Sequence, residues 1–162
     1  MDSESEWSLY EYSPSLFRPL YGGRERMSVI RRMRFLYEFL HKRRYFVYYL
    51  SLNNEMVGYC VVTPGGRRLK CSTAQDVIIG PYYVYPEYRG KNLSILLVSE
   101  TLKHCSYKYD YAYDWIYNQN TPSIRCSKAC GFEEFGHLDV VGRFRRLVMN
   151  PNGSFIVFRK PR

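Results

Sequence analysis

The amino-acid sequence predicts a mixed α/β fold, with one twisted, mostly antiparallel sheet and helices on both of its faces. Three observations carry this expectation. Tyr107, Tyr109, Tyr111, Tyr113, Trp115 and Tyr117 recur at strict period two, which lines one face of a strand with rings. Leu93, Leu96, Leu97 and Leu102 form a helical stripe directly after a strand-like run, so strand, loop and helix follow one another without a break. Short aromatic and β-branched runs elsewhere are separated by Asn-Asn, Pro-Gly-Gly and Asn-Pro-Asn-Gly, which punctuate strands. A chain of 162 residues suits one compact domain, expected to span 1–162.

The elements follow in order. Residues 7–12 read as a first strand. Val29, Ile30, Met33, Leu36, Tyr37 and Leu40 sit at helical spacing and predict an amphipathic helix over 28–42. Residues 45–52 and 56–63 make a hairpin about Asn53 and Asn54, and Pro64, Gly65 and Gly66 end it. A polar loop over 67–75 leads to a strand over 77–85, where Gly80 and Pro81 predict a bulge or local splay. The next helix runs from Leu93 to about Cys105. On the ring-lined strand, the opposite face carries Lys108, Asp110, Ala112, Asp114 and Ile116. Pro122 suits the first turn of a helix reaching Ala129, and Gly131 closes it. Strands over 135–149 and 154–159 are expected to join through a hairpin turn at Asn150–Gly153.

Composition narrows the functional classes. The net charge of +9 suggests nucleic acid, an anionic membrane surface or an anionic small molecule as partner, or simply solvated basic faces. The charge concentrates at Arg31, Arg32, Arg34, His41, Lys42, Arg43 and Arg44, and again at Arg143, Arg145 and Arg146. No nucleic-acid module accompanies it, which disfavours DNA or RNA. No apolar run approaches the roughly 20 residues that span a bilayer, and the acidic start is no signal peptide. A cytoplasmic location is therefore expected. The five cysteines form no disulfide framework, and with three scattered histidines no metal site follows.

Chemistry concentrates between Val84 and Ser94. An extended run ending at Pro86 gives way to a tight loop with Arg89 and Gly90, and then to an apolar helix. The first N–H groups of a helix have no internal partners and its dipole favours negative charge there, so this loop suits a phosphate or pyrophosphate. Arg89 and Lys91 add positive charge at the same place.

Here the residues resemble the GNAT superfamily of acyl-CoA-dependent N-acyltransferases. Its loop pattern, Arg/Gln-x-x-Gly-x-Gly/Ala, falls on Arg89, Gly90, Lys91, Asn92, Leu93 and Ser94. Its later strand-to-helix segment is similar to Ile116 through Asn120, then Ser123, then Gly131 and Phe132. Together the two segments cover roughly the middle third of the chain. Asn92 stands where the first loop glycine is usual, but Asn tolerates the left-handed region that costs most residues about 1–2 kcal/mol. Ser94 replaces the second small residue, and Ser127 stands where a tyrosine often protonates the departing thiolate.

The resemblance implies a GNAT-like fold in which the strands over 77–85 and 111–117 are parallel neighbours that splay apart. It implies acetyl-CoA as co-substrate, with no metal. Backbone groups of Tyr82, Tyr83 and Val84 would pair with the pantetheine amides. Gly90, Lys91, Asn92, Leu93 and Ser94 would hold the pyrophosphate together with Arg89, and Asn120 and Ser123 would touch the far side of the arm. For catalysis the candidates are Tyr82, Tyr83, Ser127, Tyr117 and Asp114, with Asp76 and Glu87 as further carboxylates. A primary amine acceptor is implied, and the 17 tyrosines favour a small one such as an amino sugar, because polar-tipped rings suit hydroxyl-rich or planar ligands. The alternatives are a protein or peptide N-acetyltransferase, and a CoA-binding sensor or scaffold without turnover. A homodimer is an admissible assembly.

Overall fold

The computed structural model describes residues 6–13, 33, 36, 40, 45–143 and 145–162. Among these, eight strands form one sheet: β1 (Trp7–Tyr12), β2 (Phe46–Leu52), β3 (Glu55–Pro64), β4 (Val77–Val84), β5 (Tyr111–Tyr117), β6 (Glu133–Val141), β7 (Arg146–Met149) and β8 (Phe155–Pro161). Their spatial order is β1-β2-β3-β4-β5-β8-β6-β7. Only β4 and β5 pair in parallel; the remaining pairs are antiparallel, as expected of a mostly antiparallel mixed sheet. The β2–β3 hairpin turns on Asn53 (φ 49°) and Asn54 (φ 65°), the two left-handed residues that a tight hairpin needs. The Asn53 N–H also donates to the Glu6 carbonyl at 2.9 Å, tying β1 to the turn.

Two helices, α1 (Leu93–Lys103) and α2 (Thr121–Ala129), cover one face. Leu97, Val98 and Leu102 of α1 and Cys126 and Cys130 at α2 bury against Val57, Val62, Ile79, Ala112, Ile116 and Phe158. Each fully buried aliphatic side chain there contributes about 1.5–3 kcal/mol. α2 ends as predicted: with Gly131 at φ 82°, the Phe132 N–H reaches the Ser127 carbonyl at 3.1 Å and the Gly131 N–H reaches that of Lys128 at 3.0 Å. Of the helix expected over 28–42, Met33, Leu36 and Leu40 are helical and exposed, and the rest lies outside the described residues. No described helix is long and apolar enough to cross a membrane.

The opposite face holds two smaller cores. Tyr45, Val47, Tyr59 and Val61 pack with Tyr83, while Leu69, Ile78, Tyr113, Leu138, Leu147 and Val157 pack with Trp115. The space between these cores coincides with the break between β4 and β5. Those strands pair only at Val77–Ala112 and Ile78–Tyr113 and then part. Gly80 (φ 105°) and Pro81 lie where they part, at a register shift against β3. Proline has no N–H to give a neighbouring strand, and only glycine adopts that backbone angle readily.

Two expectations need correction. The six rings from Tyr107 to Tyr117 do not line one face, because β5 begins only at Tyr111. Tyr107 and Tyr109 turn into the helix-side core, where the Tyr109 hydroxyl donates to the Leu102 carbonyl at 3.3 Å, while Tyr113 and Trp115 face away from the helices. A strand in mid-sheet is covered on both sides, so alternation there does not separate polar from apolar. The Asn150–Gly153 turn, in turn, does not join neighbouring strands. β8 inserts between β5 and β6, and β6 instead forms a hairpin with β7. Asp139 anchors the crossing chain by accepting from Asn150 Nδ2 at 2.6 Å and the Ser154 N–H at 2.9 Å.

Candidate active site

The loop after β4 is built to leave amides free. A short 3-10 turn over Pro86–Tyr88 uses the Tyr88 and Arg89 N–H groups on the Tyr85 and Pro86 carbonyls at 2.9 and 3.2 Å. Gly90 (φ 81°) then reverses the chain; a Cβ there would meet nothing within 4 Å, so the glycine answers to backbone angle alone. Asn92 caps α1 in the left-handed conformation (φ 56°, ψ 18°), as its replacement of a glycine required. Its carbonyl accepts from Ile95 and Leu96 at 3.0 and 3.2 Å, but its side chain caps nothing. The amides of Gly90, Lys91, Asn92, Leu93 and Ser94 have no acceptor among the described residues. Five free donors at a helix N-terminus, with the exposed Lys91 among them, fit an anion.

Arg89 and Ser94 stand differently from expectation. Arg89 Nε donates to the Val84 carbonyl at 3.1 Å, and its guanidinium carbon lies 5.1 Å from the centre of the Tyr83 ring. Tyr83 packs in the core away from the helices, so the Arg89 charge is directed to that face. The Ser94 hydroxyl lies beside Cys126.

Beside this loop the cleft between β4 and β5 has two open backbone edges. Tyr82, Tyr83 and Val84 pair with Cys60, Tyr59 and Gly58 on the β3 side only. Asp114, Trp115, Ile116 and Tyr117 pair with Phe158, Val157, Ile156 and Phe155 on the β8 side only. Unpaired strand edges invite an extended ligand that supplies the missing hydrogen bonds. Asn120 sits at the open end as the N-cap of α2, accepting the Ser123 N–H on Oδ1 at 3.4 Å. Gly58 is needed behind β4, because a Cβ there would stand 2.5 Å from the Tyr83 carbonyl oxygen.

On the helix side the cleft is closed by a buried polar group. Ser127 Oγ donates to Asp114 Oδ2 at 2.7 Å, and both residues are buried. The Tyr82 hydroxyl crosses from β4 to α2 and donates to the Ser123 carbonyl at 3.2 Å, joining the two walls. Burial holds the Tyr82 phenol well above its ordinary range, and the nearby Asp114 carboxyl pushes the same way. Burial also lifts the Asp114 carboxyl from 3.8 to about 6, against the opposing hydrogen bonds of Ser127, the Trp115 amide and Tyr82. The stability tied to this protonated carboxyl is complete below about pH 4 and is lost as pH rises through about 6. Asp114→Asn keeps a neutral group throughout. Between pH 4 and 7 its stability relative to the parent is therefore expected to rise by roughly 2 kcal/mol, measured by urea unfolding at both values.

The candidate catalytic residues do not all converge. Tyr82, Asp114 and Ser127 come together; Tyr83 lies on the other face, and Tyr117 is exposed there against Phe155 at 5.4 Å. Asp76 is spent on structure: it accepts the Thr73 N–H at 2.6 Å, the Thr73 hydroxyl at 3.0 Å and the Tyr111 N–H at 3.1 Å. Glu87 is exposed on the 3-10 turn. The cysteines are all free, and four of them are buried. No group of histidine, cysteine, aspartate or glutamate among the described residues is arranged to hold a metal ion. Two features had gone unseen in the sequence: the Ser127–Asp114 pair, and Arg68 lying 5.2 Å over the Trp115 ring. Ser123 and Ser127, one helical turn apart, were the available signal for the first; no local pattern announces the second.

Comparison with known proteins fits this architecture. A sequence model of the Acetyltransferase (GNAT) family matches residues 8–132. No curated protein sequence matches the chain. Among solved structures, a ribosomal-protein-alanine N-acetyltransferase from Brucella melitensis superposes with a TM-score of 0.60 at 21% identity, covering 84% of this chain and 80% of its own. An acetyltransferase from Thermus thermophilus gives 0.60 at 16% identity, covering 86% and 79%. The N-acetyltransferase PseH of Campylobacter jejuni, in complex with acetyl coenzyme A, gives 0.56 at 13% identity, covering 80% and 77%. At these identities the structures speak for the fold, while the sequence model covers most of the chain. The chain belongs to the Acetyltransferase (GNAT) family.

Proposed function

We propose that this chain is an N-acetyltransferase that moves an acetyl group from acetyl-CoA to a small primary amine, such as an amino sugar or other small polar amine. The observation that carries the reading is the cleft itself: two diverging strands with open edges, headed by the free amides of Gly90–Ser94. In this reading those amides and Lys91 hold the diphosphate, Tyr82–Val84 offer backbone partners to the pantetheine, and Asn120 and Ser123 border its far side. Acetyl-CoA supplies an acetyl thioester, whose sulfur takes up a proton when the acetyl group leaves. In the same reading an N–H near Val84 polarises the thioester carbonyl.

Tyr82 is the best proton donor among the residues of the cleft. Its phenol keeps its proton at neutral pH because it is buried, and it stands where the chain lacks a tyrosine at Ser127. Asp114 and Ser127 act as positioning residues behind it. On the other face, Tyr83, Trp115 and Tyr117 present rings toward an incoming amine. An amine with a pKa near 7.7–8.0 reaches the cleft largely able to react, whereas one near 10.4 needs a base.

Incubation with acetyl-CoA and a panel of amino sugars, small amines and peptides tests the reading, scoring released thiol and acetylated product by mass. Acetylation of a small amine in preference to peptides is the expected result. Acetylation of peptides alone would move the acceptor to the protein class. Acetyl-CoA binding with no acetylated product would leave a CoA-binding sensor.

A further inference from the structure

We infer that the acceptor amine carries an anionic group, a phosphate or a carboxylate, held by the guanidiniums of Arg68 and Arg89 on the sheet face away from α1 and α2; this rests on the acetyl-transfer reading above. The observation is a symmetry across the cleft. On the β4 side, Arg89 lies over Tyr83, 5.1 Å from its centre. On the β5 side, Arg68 lies over Trp115, 5.2 Å from its centre. Tyr83 and Trp115 sit on the same face, one in each of the two cores that flank the break between the strands. From the pairing of Ile78 with Tyr113, Trp115 falls level with Gly80, where β4 and β5 have just parted, and Tyr83 lies further along the opening.

The chemistry of the pair is specific. A guanidinium stacked on a ring is fixed in orientation but keeps its N–H edge for a bidentate oxyanion. Arginine placed this way usually meets a carboxylate of its own protein. Neither Arg68 nor Arg89 has an ion-pair partner among the described residues. Arg159, in register with Tyr113 at the last β4–β5 pair, is held differently: it lies 4.7 and 4.3 Å from the centres of the Tyr111 and Phe135 rings and is hydrogen-bonded to Tyr113. Arg89 reaches this face because its Nε is tied to the Val84 carbonyl. The CoA diphosphate does not compete for it, since the free amides of Gly90–Ser94 lead into α1 on the helix side. A net charge of +9 draws anions toward such a cleft and weakens the case for a basic peptide as acceptor.

The test compares matched acceptors with the intact protein and acetyl-CoA: ethanolamine against phosphoethanolamine, glucosamine against its phosphate ester, and aminopropanol against β-alanine. The anionic member of at least one pair is expected to show kcat/KM at least tenfold above its neutral partner, and which pair responds tells phosphate from carboxylate. Arg68→Ala is expected to cut that ratio about tenfold, and Arg68→Lys to restore part of it. A general packing defect would lower both members of a pair together and leave the ratio unmoved. Equal kcat/KM across every pair, or a ratio unchanged in Arg68→Ala, overturns the inference while acetyl transfer stands. Acetylation of no amine at all overturns the transfer reading and this inference with it.

Discussion

Asn92→Asp is expected to weaken acetyl-CoA binding about thirtyfold while leaving the melting temperature unchanged or slightly raised. The two side chains are isosteric, and aspartate, like asparagine, visits the left-handed conformation that residue 92 adopts. Asn92 is exposed and its side chain makes no cap hydrogen bond, so the substitution breaks no contact there. For the protein alone, a carboxylate at a helix N-cap is favourable by a few tenths to about 1 kcal/mol. For a bound diphosphate the sign reverses. Two like charges about 5 Å apart at the protein surface repel by roughly 3 kcal/mol before salt screening and by about 2 after it, which is near thirtyfold in affinity. Titration calorimetry with acetyl-CoA and a thermal melt, on the same preparation, separate the two effects. An unaltered affinity with an unaltered melt would remove the diphosphate from this loop. Arg89→Ala does not discriminate as sharply, because its guanidinium is already engaged over Tyr83.

That loop was legible because its chemistry is local. Arg89, Gly90, Asn92 and the leucine stripe of α1 follow one another in sequence, and a strand running into a helix leaves the same amides free wherever it occurs. The hairpin about Asn53 and Asn54 and the interruption at Gly80 and Pro81 were readable for the same reason, since each is a backbone constraint set by one or two residues. What escaped depends on long-range placement. Nothing near Asn150–Gly153 says that β8 will insert between β5 and β6 and not pair with β7. The rings from Tyr107 to Tyr117 looked like one stripe, yet the chain turns before Tyr111, and period two holds only while a strand lasts. The buried pair of Asp114 and Ser127 joins residues 13 apart on two different elements, and Tyr82 reaches them from a third. Read in line, Ser127 is a missing tyrosine; in the fold it is buried, donates to Asp114 and stands beside the Tyr82 phenol.

Tyr82→Phe is accordingly expected to lower the single-turnover rate of acetyl transfer about a hundredfold, with acetyl-CoA affinity changed less than threefold. A positioned proton donor typically contributes between about a hundred- and ten-thousandfold. The lower end applies here, because a thiol with an ordinary pKa near 8.5 leaves partly on its own. The phenol is held above its usual range by burial, which would make it a poor donor to a thiolate in water. In the cleft the comparison differs, since the same desolvation raises the proton affinity of a thiolate formed beside it. Phenylalanine keeps the ring that closes the helix side of the cleft and removes only the hydroxyl. The lost hydrogen bond to the Ser123 carbonyl costs about 1 kcal/mol of stability, too little to unfold the domain. Single-turnover measurement isolates the chemical step from product release, so slow CoA departure cannot mask the effect. Ser127→Ala provides the second arm: it leaves the phenol in place but removes a hydroxyl that donates to Asp114, and is expected to cost about tenfold or less. Were Ser127→Ala the more damaging of the two, the proton would have to travel through the serine and the carboxylate behind it, and Tyr82 would be only the wall of the cleft.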